Sequence, residues 1–121
     1  MTERERTRDE RPTALQRVDR ELLGEHLDLD REVNRLAAMG EPTRFTILYL
    51  LATDGETRSG QLAEVLDRQQ NDLYHHLNAL EEAGLIGKYR DGSNRIYELS
   101  PLGEQLVPGV FESIRARAGT A

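Results

Sequence analysis

Apolar residues recur at helical spacing along most of the chain and change to a strand-like pattern near its C-terminal end. One stripe starts at Leu15, a second at Leu29, and a third, apolar on most of its circumference, covers residues 45–51. The spacing predicts two amphipathic helices, or one kinked helix, followed by a helix in the centre of the fold. Gly40 and Pro42 separate the last two, because glycine favours a helix C-terminus and proline the first turn.

A short helix, a turn and a longer helix are predicted between Ser59 and Gly84. Ser59 is a suitable N-cap for the short helix, and Asp67 with Arg68 forms the turn. Gly84 ends the longer helix, predicted over residues 69–83, in a C-cap. The side of this helix that faces the core is formed by Leu73, Leu77 and Leu80.

Two strand-like runs, 85–89 and 95–99, flank the sequence Asp91-Gly92-Ser93-Asn94, which is typical of a tight hairpin turn. Ser100 and Pro101 then open a last helix, in which Pro108 predicts a bend. Helix, turn, helix and hairpin in this order predict a winged helix-turn-helix, mostly α with a small β-hairpin wing. Additional helices lie on both the N-terminal and C-terminal sides of it.

Composition favours an assembly of two copies. A hydrophobic content of 37% is low for a monomer of 121 residues, and a dimer would share a larger core. We expect a mobile tail over residues 1–12 and one winged-helix domain with terminal dimerisation helices over 13–121. In a twofold dimer the two recognition helices would lie about 34 Å apart and address a pseudo-palindromic site. The residues expected at the dimer interface are Leu15, Val18, Leu22, Leu106, Val110, Phe111 and Ile114.

Several classes of protein are disfavoured. The chain has no cysteine, which excludes disulfides and thiolate metal sites within it, and no catalytic constellation or phosphate-binding glycine loop, so we expect neither an enzyme nor a cofactor. His75 and His76 point about 100° apart on a helix, and His26 is the only other histidine, so we expect no metal site. Without an apolar span or signal peptide, a cytoplasmic location is expected.

The outer side of the longer helix carries amide, hydroxyl and imidazole groups. Such groups both donate and accept hydrogen bonds, as base edges in the major groove require. The DNA contacts expected from this helix and the preceding turn are Arg68, Gln69, Gln70, Asn71, Tyr74, His75 and Asn78. Those expected from the wing, residues 88–96, reach the backbone or the minor groove and are Lys88, Arg90, Ser93, Asn94 and Arg95.

Structural interpretations stand beside these assignments. Tyr74 and Tyr89 are also candidates for packing aromatics, and for Tyr89, on a strand, packing is the favoured interpretation. Arg90 and Arg95 are alternatively a solvated charge pattern with Asp91 and Glu98. His76 is expected to pack, and Arg44 is expected to have a structural role, pairing with a carboxylate.

The charge balance argues against DNA binding. The 22 acidic residues outweigh the 16 basic ones and give a net charge of -6, which suits the alternative function of a protein–protein interaction module without DNA binding. Residues 67–97, however, are nearly neutral. The polar face of the longer helix favours DNA, because a protein-binding face would show apolar or charged anchors.

The amino-acid composition adds an expectation about salt. Lys88 is the only lysine among the basic residues, and this acidic, arginine-rich composition resembles that of proteins from salt-loving archaea. In molar salt the Debye length falls to about 3 Å, so short-range contacts decide binding. We hypothesise that cations bound at the DNA interface bridge acidic residues and phosphates.

Three segments resemble those of ArsR-type winged-helix transcriptional regulators. Residues 36–51, LAAMGEPTRFTILYLL, are similar to the segment that opens these proteins, and residues 61–66 and 75–86, the latter HHLNALEEAGLI, are similar to their helix-turn-helix. The resemblance covers residues 36–106 and implies a DNA-binding regulator, with a haloarchaeal stress-response regulator as the nearer expectation. It implies the wing role for residues 88–95 and the recognition role for Gln70, Asn71, Tyr74, His75 and Asn78.

Overall fold

The structure, a computed structural model, describes residues 11–119. Most of the expected tail, residues 1–12, therefore lies outside the described residues. The chain divides into two compact units, the first ending at Asn34 and the second starting at Arg35. No helix of residues 11–119 is both long and apolar enough to cross a membrane.

The first unit contains helix α1, Ala14–Val18, which continues in π-helical turns over Asp19–Leu23. Thr13 caps it, because its hydroxyl accepts a hydrogen bond from the Gln16 backbone while the Gln16 side chain accepts one from the Thr13 backbone. Helix α2, Leu29–Met39, begins in this unit and ends in the second. The structure thus has two separate helices, one of the two alternatives that the spacing allowed.

The second unit is built on helix α3, Pro42–Asp54, with Glu41 as its N-cap and Pro42 in its first turn. A two-residue strand β1, Thr57–Arg58, precedes helix α4, Ser59–Leu66. After helix α5, Gln70–Glu82, strands β2, Ile86–Asp91, and β3, Asn94–Leu99, form the hairpin, and helix α6 covers Pro101–Ala118. The mostly helical winged fold predicted from the sequence is confirmed.

The small sheet has the strand order β1-β3-β2, with both pairings antiparallel. Asp91 pairs with Asn94, so the hairpin loop is Gly92 and Ser93 alone, as predicted. Gly92 takes a φ of 65°, which a side chain would make costly. Strand β1 was not predicted from the sequence, since two residues carry no periodicity.

The core lies between α3, α5, α6 and the sheet. Its fully buried side chains are Ile47, Leu48, Leu62, Leu73, Leu77, Leu80, Leu85, Tyr97 and Val107. Helix α6 runs through Pro108 and begins as expected, with the Ser100 hydroxyl accepting a hydrogen bond from the Gly103 backbone at 2.9 Å. The expected N-cap of α4 is wrong by one residue, because Ser59 is the first helical residue and Arg58 precedes it.

Phe111 requires a second correction. The sequence assigned it to a dimer interface, but its ring is buried within its own chain. It packs edge to face on Phe45, with ring centroids 5.1 Å apart, and on Tyr49 at 5.4 Å. The reason is that α6 lies against α3 and turns part of its apolar stripe inward. Leu106 and Val110, also predicted at the interface, therefore pack partly buried against the core of their own chain, whereas Ile114 remains exposed.

Candidate nucleic-acid interface

Helix α5 has one buried and one exposed side. Leu73, Leu77 and Leu80 are completely buried and hold the helix against the core. At its N-terminal end, Asp67 adopts a left-handed backbone conformation with φ 51°, which makes the turn from α4. At its C-terminal end Gly84, with φ 77°, lets the Leu85 N–H donate to the Leu80 carbonyl at 3.1 Å. The position of α5 is therefore fixed by its buried leucines, by the turn at Asp67 and by the C-cap at Gly84.

The predicted recognition residues divide into two groups on the exposed side of α5. Asn71, His75 and Asn78 are exposed and lie on the outer surface. Gln70 and Tyr74 lie toward the wing, where both line a cavity. Gln69 precedes the helix as its N-cap residue and is exposed. The first group thus presents amide and imidazole groups to solvent.

Arg68 makes an ion pair at the start of α5. Its guanidinium lies 2.6 Å from the Asp72 carboxylate, one helical turn away, and both side chains are partly exposed. Donation from Arg68 lowers the pKa of Asp72 below its ordinary value. The pair spans the start of α5, so part of the positive charge predicted to meet DNA is already compensated.

Two contacts join α5 to the hairpin. The Arg95 guanidinium lies over the Tyr74 ring, 5.3 Å from its centroid, a cation–π geometry. The Lys88 ammonium pairs with the Glu81 carboxylate at 3.2 Å. Lys88, predicted to contact DNA, therefore already has an anionic partner on α5. Together the contacts fix the wing relative to the recognition side of the helix.

A cavity of about 870 Å³ lies between the start of α4, the first half of α5 and the hairpin tip. It brings together six of the predicted residues, namely Gln70, Tyr74, Arg90, Ser93, Asn94 and Arg95. It also contains a cation that was not predicted, Arg58, because β1 pairs with β3 beside Arg95. The rest of the lining consists of Ser59, Gly60, Gln61, Glu64 and Val65.

Among the described residues, the arginines of this cavity form no direct ion pair with a carboxylate. Arg90 lies directly opposite Arg95 in the register of the hairpin. Within residues 11–119, neither forms an ion pair with Asp91, Glu98 or any other carboxylate. The alternative, a solvated charge pattern with Asp91 and Glu98, would therefore involve no direct ion pair. Like charges directly opposite each other destabilise a sheet, so this pairing is unfavourable for the hairpin by itself.

The buried phenol of Tyr97, two residues from Arg95 on β3, influences the charge of that arginine. Tyr97, and to a smaller extent Tyr74 and the charge of Glu81, raise the pKa of the Arg95 guanidinium. The Tyr97 phenol and the Arg95 guanidinium do not meet the geometry of a hydrogen bond, since the buried Tyr97 hydroxyl has no hydrogen-bond partner among the described residues. The cation thus remains available to other acceptors.

Tyr89 is not the packing residue that the sequence favoured. Its side chain is exposed, and its hydroxyl donates a hydrogen bond of 2.6 Å to the Glu56 carboxylate. This bond, with partial desolvation and the charge of Glu56, raises the pKa of Tyr89 to about 12. The pair ties the outer side of the hairpin to the loop before β1.

A structural cluster joins the start of α3 to α5. It consists of Glu41, Arg44 and His76. Arg44 donates through Nε to the Ala38 carbonyl at 2.7 Å and lies 3.3 Å from the His76 ring nitrogen, which is itself 3.5 Å from Glu41. Partial burial acts to raise the pKa of Glu41, but backbone N–H groups of Arg44 and Thr43 outweigh it and leave the pKa lowered. The expected structural roles of Arg44 and His76 agree with this geometry. The expected pairing of the Arg44 side chain with a carboxylate is wrong, because the Arg44 guanidinium bonds to a backbone carbonyl and only the Arg44 backbone N–H donates to Glu41. In the described part of the chain, no three histidine or acidic side chains are grouped as a metal site would require.

Comparisons with known proteins agree with this geometry. The helix-turn-helix domain family model matches residues 39–87. The chain is 37% identical to an HTH-type transcriptional regulator of Methanocaldococcus jannaschii over 60 residues, which cover 50% of this chain and 67% of the relative. It is 31% identical over 88 residues to the protein named as arsenical resistance operon repressor ArsR of Halobacterium salinarum, covering 72% of this chain and 68% of that one.

A solved structure gives the same result. The chain superposes, with a TM-score of 0.63 and 25% identity, on the homodimeric winged helix-turn-helix DNA-binding domain of a possible ArsR-family transcriptional regulator from Mycobacterium bovis. The match covers 75% of this chain and 81% of that domain. This chain belongs to the ArsR family of winged helix-turn-helix, DNA-binding transcriptional regulators.

Proposed function

We propose that the protein is a homodimeric, sequence-specific regulator that places α5 in the major groove of DNA and the wing on the flanking backbone or minor groove. The observation that carries this proposal is the position of a cavity with three arginines, none of them in an ion pair with a described residue, beside the exposed polar side of α5. One surface then offers both groups that read bases and groups that hold phosphates. Specific DNA binding requires both, because phosphate contacts position the protein and base contacts select the sequence.

Base reading is assigned to Asn71, His75 and Asn78. All three are exposed on α5, and none is used to hold the fold through a hydrogen bond between described side chains. An asparagine side chain pairs with adenine through two hydrogen bonds in the major groove. We therefore assign most of the sequence preference to this group and to Asn71 first.

Backbone contact is assigned to the wing tip. Arg90 and Arg95 supply charge there, and Ser93 and Asn94 supply hydrogen-bond donors around the same cavity. Phosphate contacts position a protein on DNA without reading its sequence. Cations bound between the acidic residues and the phosphates are part of this proposal, and they would make the affinity depend only weakly on salt.

Dimerisation is assigned to exposed apolar side chains near both ends of the described chain. Leu15 is 67% exposed and Leu22 75%, and Val18 and Ile114 are also partly exposed. Several large apolar side chains exposed together are typical of an interaction surface. The related domain from Mycobacterium bovis is homodimeric by its description. A twofold axis would place two copies of α5 about 34 Å apart, one on each half of a pseudo-palindromic operator.

The DNA proposal is tested by selecting sequences from a random duplex library and measuring affinity by fluorescence anisotropy. Asn71→Ala should reduce the ratio of specific to non-specific affinity by about 5- to 150-fold, the value of one good base contact. Asn34→Ala, an exposed asparagine in α2, is the matched control and should leave the ratio unchanged. If the wild type selects no sequence at any salt concentration, the protein-interaction alternative replaces this proposal.

The dimer is tested separately by sedimentation equilibrium. Leu22→Asp should shift the protein to monomer, because the new carboxylate would be buried against the second copy. Leu27→Asp is the matched control, since Leu27 is 51% exposed and lies outside the assigned interface. A wild-type protein that remains monomeric at high concentration would reject the dimer and leave the DNA result standing.

A further inference from the structure

We infer that the cavity beside the wing holds a DNA phosphate among three guanidinium groups, and that Glu64 on the same wall weakens this binding at low salt. The guanidinium groups belong to Arg58, Arg90 and Arg95, and all four side chains line the cavity. The inference rests on the proposed function and adds two residues to it, Arg58 and Glu64. Neither belongs to the predicted recognition helix or to the wing.

Arg58 reaches the cavity because of sheet pairing. It is opposite Ile96 on β3, one residue from Arg95, and the side chain is exposed. It makes no ion pair and no side-chain hydrogen bond with any residue between 11 and 119. Three guanidinium groups that approach one cavity from different strands, without compensation, can surround a phosphate and donate to several of its oxygens.

Glu64 has the opposite effect in the same place. It is exposed on α4, and in the described part of the chain its carboxylate forms no ion pair, not even with the cavity arginines. A phosphate entering the cavity would therefore meet a like charge as well as three opposite ones. Because this repulsion acts through solvent, salt screens it more effectively than it screens direct guanidinium–phosphate hydrogen bonds.

This arrangement predicts a particular response to salt. At low ionic strength Glu64 offsets part of the attraction, so affinity is lower than three arginines alone would give. At molar salt the Debye length is about 3 Å and the repulsion largely disappears, while the direct contacts remain. The carboxylate thus flattens the loss of affinity that counterion release normally causes.

Arg58 is tested by measuring the slope of log affinity against log salt with the full-length protein and duplex DNA. Arg58→Ala should reduce the slope by about 1, the contribution of one phosphate contact, and weaken specific and non-specific binding equally. Arg58→Lys should retain most of the slope, because it keeps the charge. Arg115→Ala, an exposed arginine on α6, is the control. An unchanged slope in Arg58→Ala would overturn the assignment.

Glu64 is tested in the same titration. Glu64→Gln should bind roughly three- to tenfold more tightly at low salt, the effect of removing a charge a few ångströms from a phosphate in water, and equally well at molar salt. Glu104→Gln, on α6, is the control and should bind DNA as tightly as the wild type at both low and molar salt. Wild-type affinity of Glu64→Gln at low salt would reject the role of Glu64. Failure of the wild type to bind DNA at all would reject the proposed function and this inference with it.

Discussion

Two regions of the molecule use arginine differently. Arg35 and Arg44, where α2 meets α3, have hydrogen-bond acceptors within the fold, whereas the arginines of the wing cavity have none among residues 11–119. Arg35 donates to the Ala83 carbonyl at 2.7 Å and Arg44 to the Ala38 carbonyl at 2.7 Å. In the cavity, Arg58 and Arg90 have no such acceptor among the described residues. The first pair holds helices together, and the second pair has donors to offer to another molecule.

The difference shows how to identify functional cations in an acidic protein. Net charge is -6 and suggests no affinity for DNA, but it counts every arginine alike. Hydrogen-bond donors that already have acceptors contribute to stability, whereas donors without acceptors are available for binding. Whether an arginine already has a hydrogen-bond acceptor can be seen only in the folded structure. It therefore separates structural arginines from those available for binding better than net charge does.

Arg44→Ala should give the largest effect on stability. It removes the hydrogen bond to Ala38 and the contact with His76, and it leaves a partly buried carbonyl without its donor, so we expect a loss of about 2–3 kcal/mol in the free energy of unfolding. Urea unfolding followed by circular dichroism measures it, at one fixed protein concentration because the proposed dimerisation would make stability depend on concentration. A loss below about 0.5 kcal/mol would place Arg44 with the solvent-exposed arginines.

Arg90→Ala should show the reverse behaviour. Its stability should remain within about 0.5 kcal/mol of the wild type, since the change also removes the repulsion from Arg95 across the hairpin. DNA affinity should fall by a similar factor for all sequences, because a phosphate contact is lost. The same urea and anisotropy measurements apply, with Arg115→Ala as control. A large loss of stability would mean that Arg90 is structural and would remove the contrast.

Local chemistry made the ends of the main elements predictable. Gly84, the pair Ser100 and Pro101, and the turn at Gly92 act through their own backbone preferences, and the structure places helix and strand ends there as expected. The exposed polar side of α5 was predictable for the same reason, because helical spacing alone determines which residues oppose the leucines.

The cavity was less predictable, because its walls come from segments distant in sequence. Arg58 joins it only through the pairing of a two-residue strand with β3, a contact that no periodicity indicates. Lys88 has a partner on α5, and Tyr89 bonds to Glu56 rather than packing inside, for similar reasons. Spacing gives the face of an element but not the side chain that meets it from another element.

Tyr74 should couple the recognition helix to the wing by a smaller energy. The Arg95 guanidinium over its ring is worth about 0.5–1 kcal/mol at such a partly exposed site. Tyr74→Phe keeps the ring and should retain this coupling, whereas Tyr74→Leu should lose it. A double-mutant cycle with Arg95→Ala measures the energy. Equal coupling energies for the phenylalanine and leucine variants would show that the ring does not hold the arginine.

The smallest effect concerns the outer side of the hairpin, where Tyr89 is bonded to Glu56. The bond raises the pKa of Tyr89 from 10.0 to about 12, so the folded protein holds this proton more tightly than the unfolded chain. The resulting stabilisation is complete below pH 10 and is lost as the pH rises toward 12. The difference in tyrosinate absorbance between the wild type and Tyr89→Phe isolates this titration from those of the other tyrosines. Glu56→Gln should move it back toward 10, and an unshifted titration in the wild type would show that the hydrogen bond does not persist in solution.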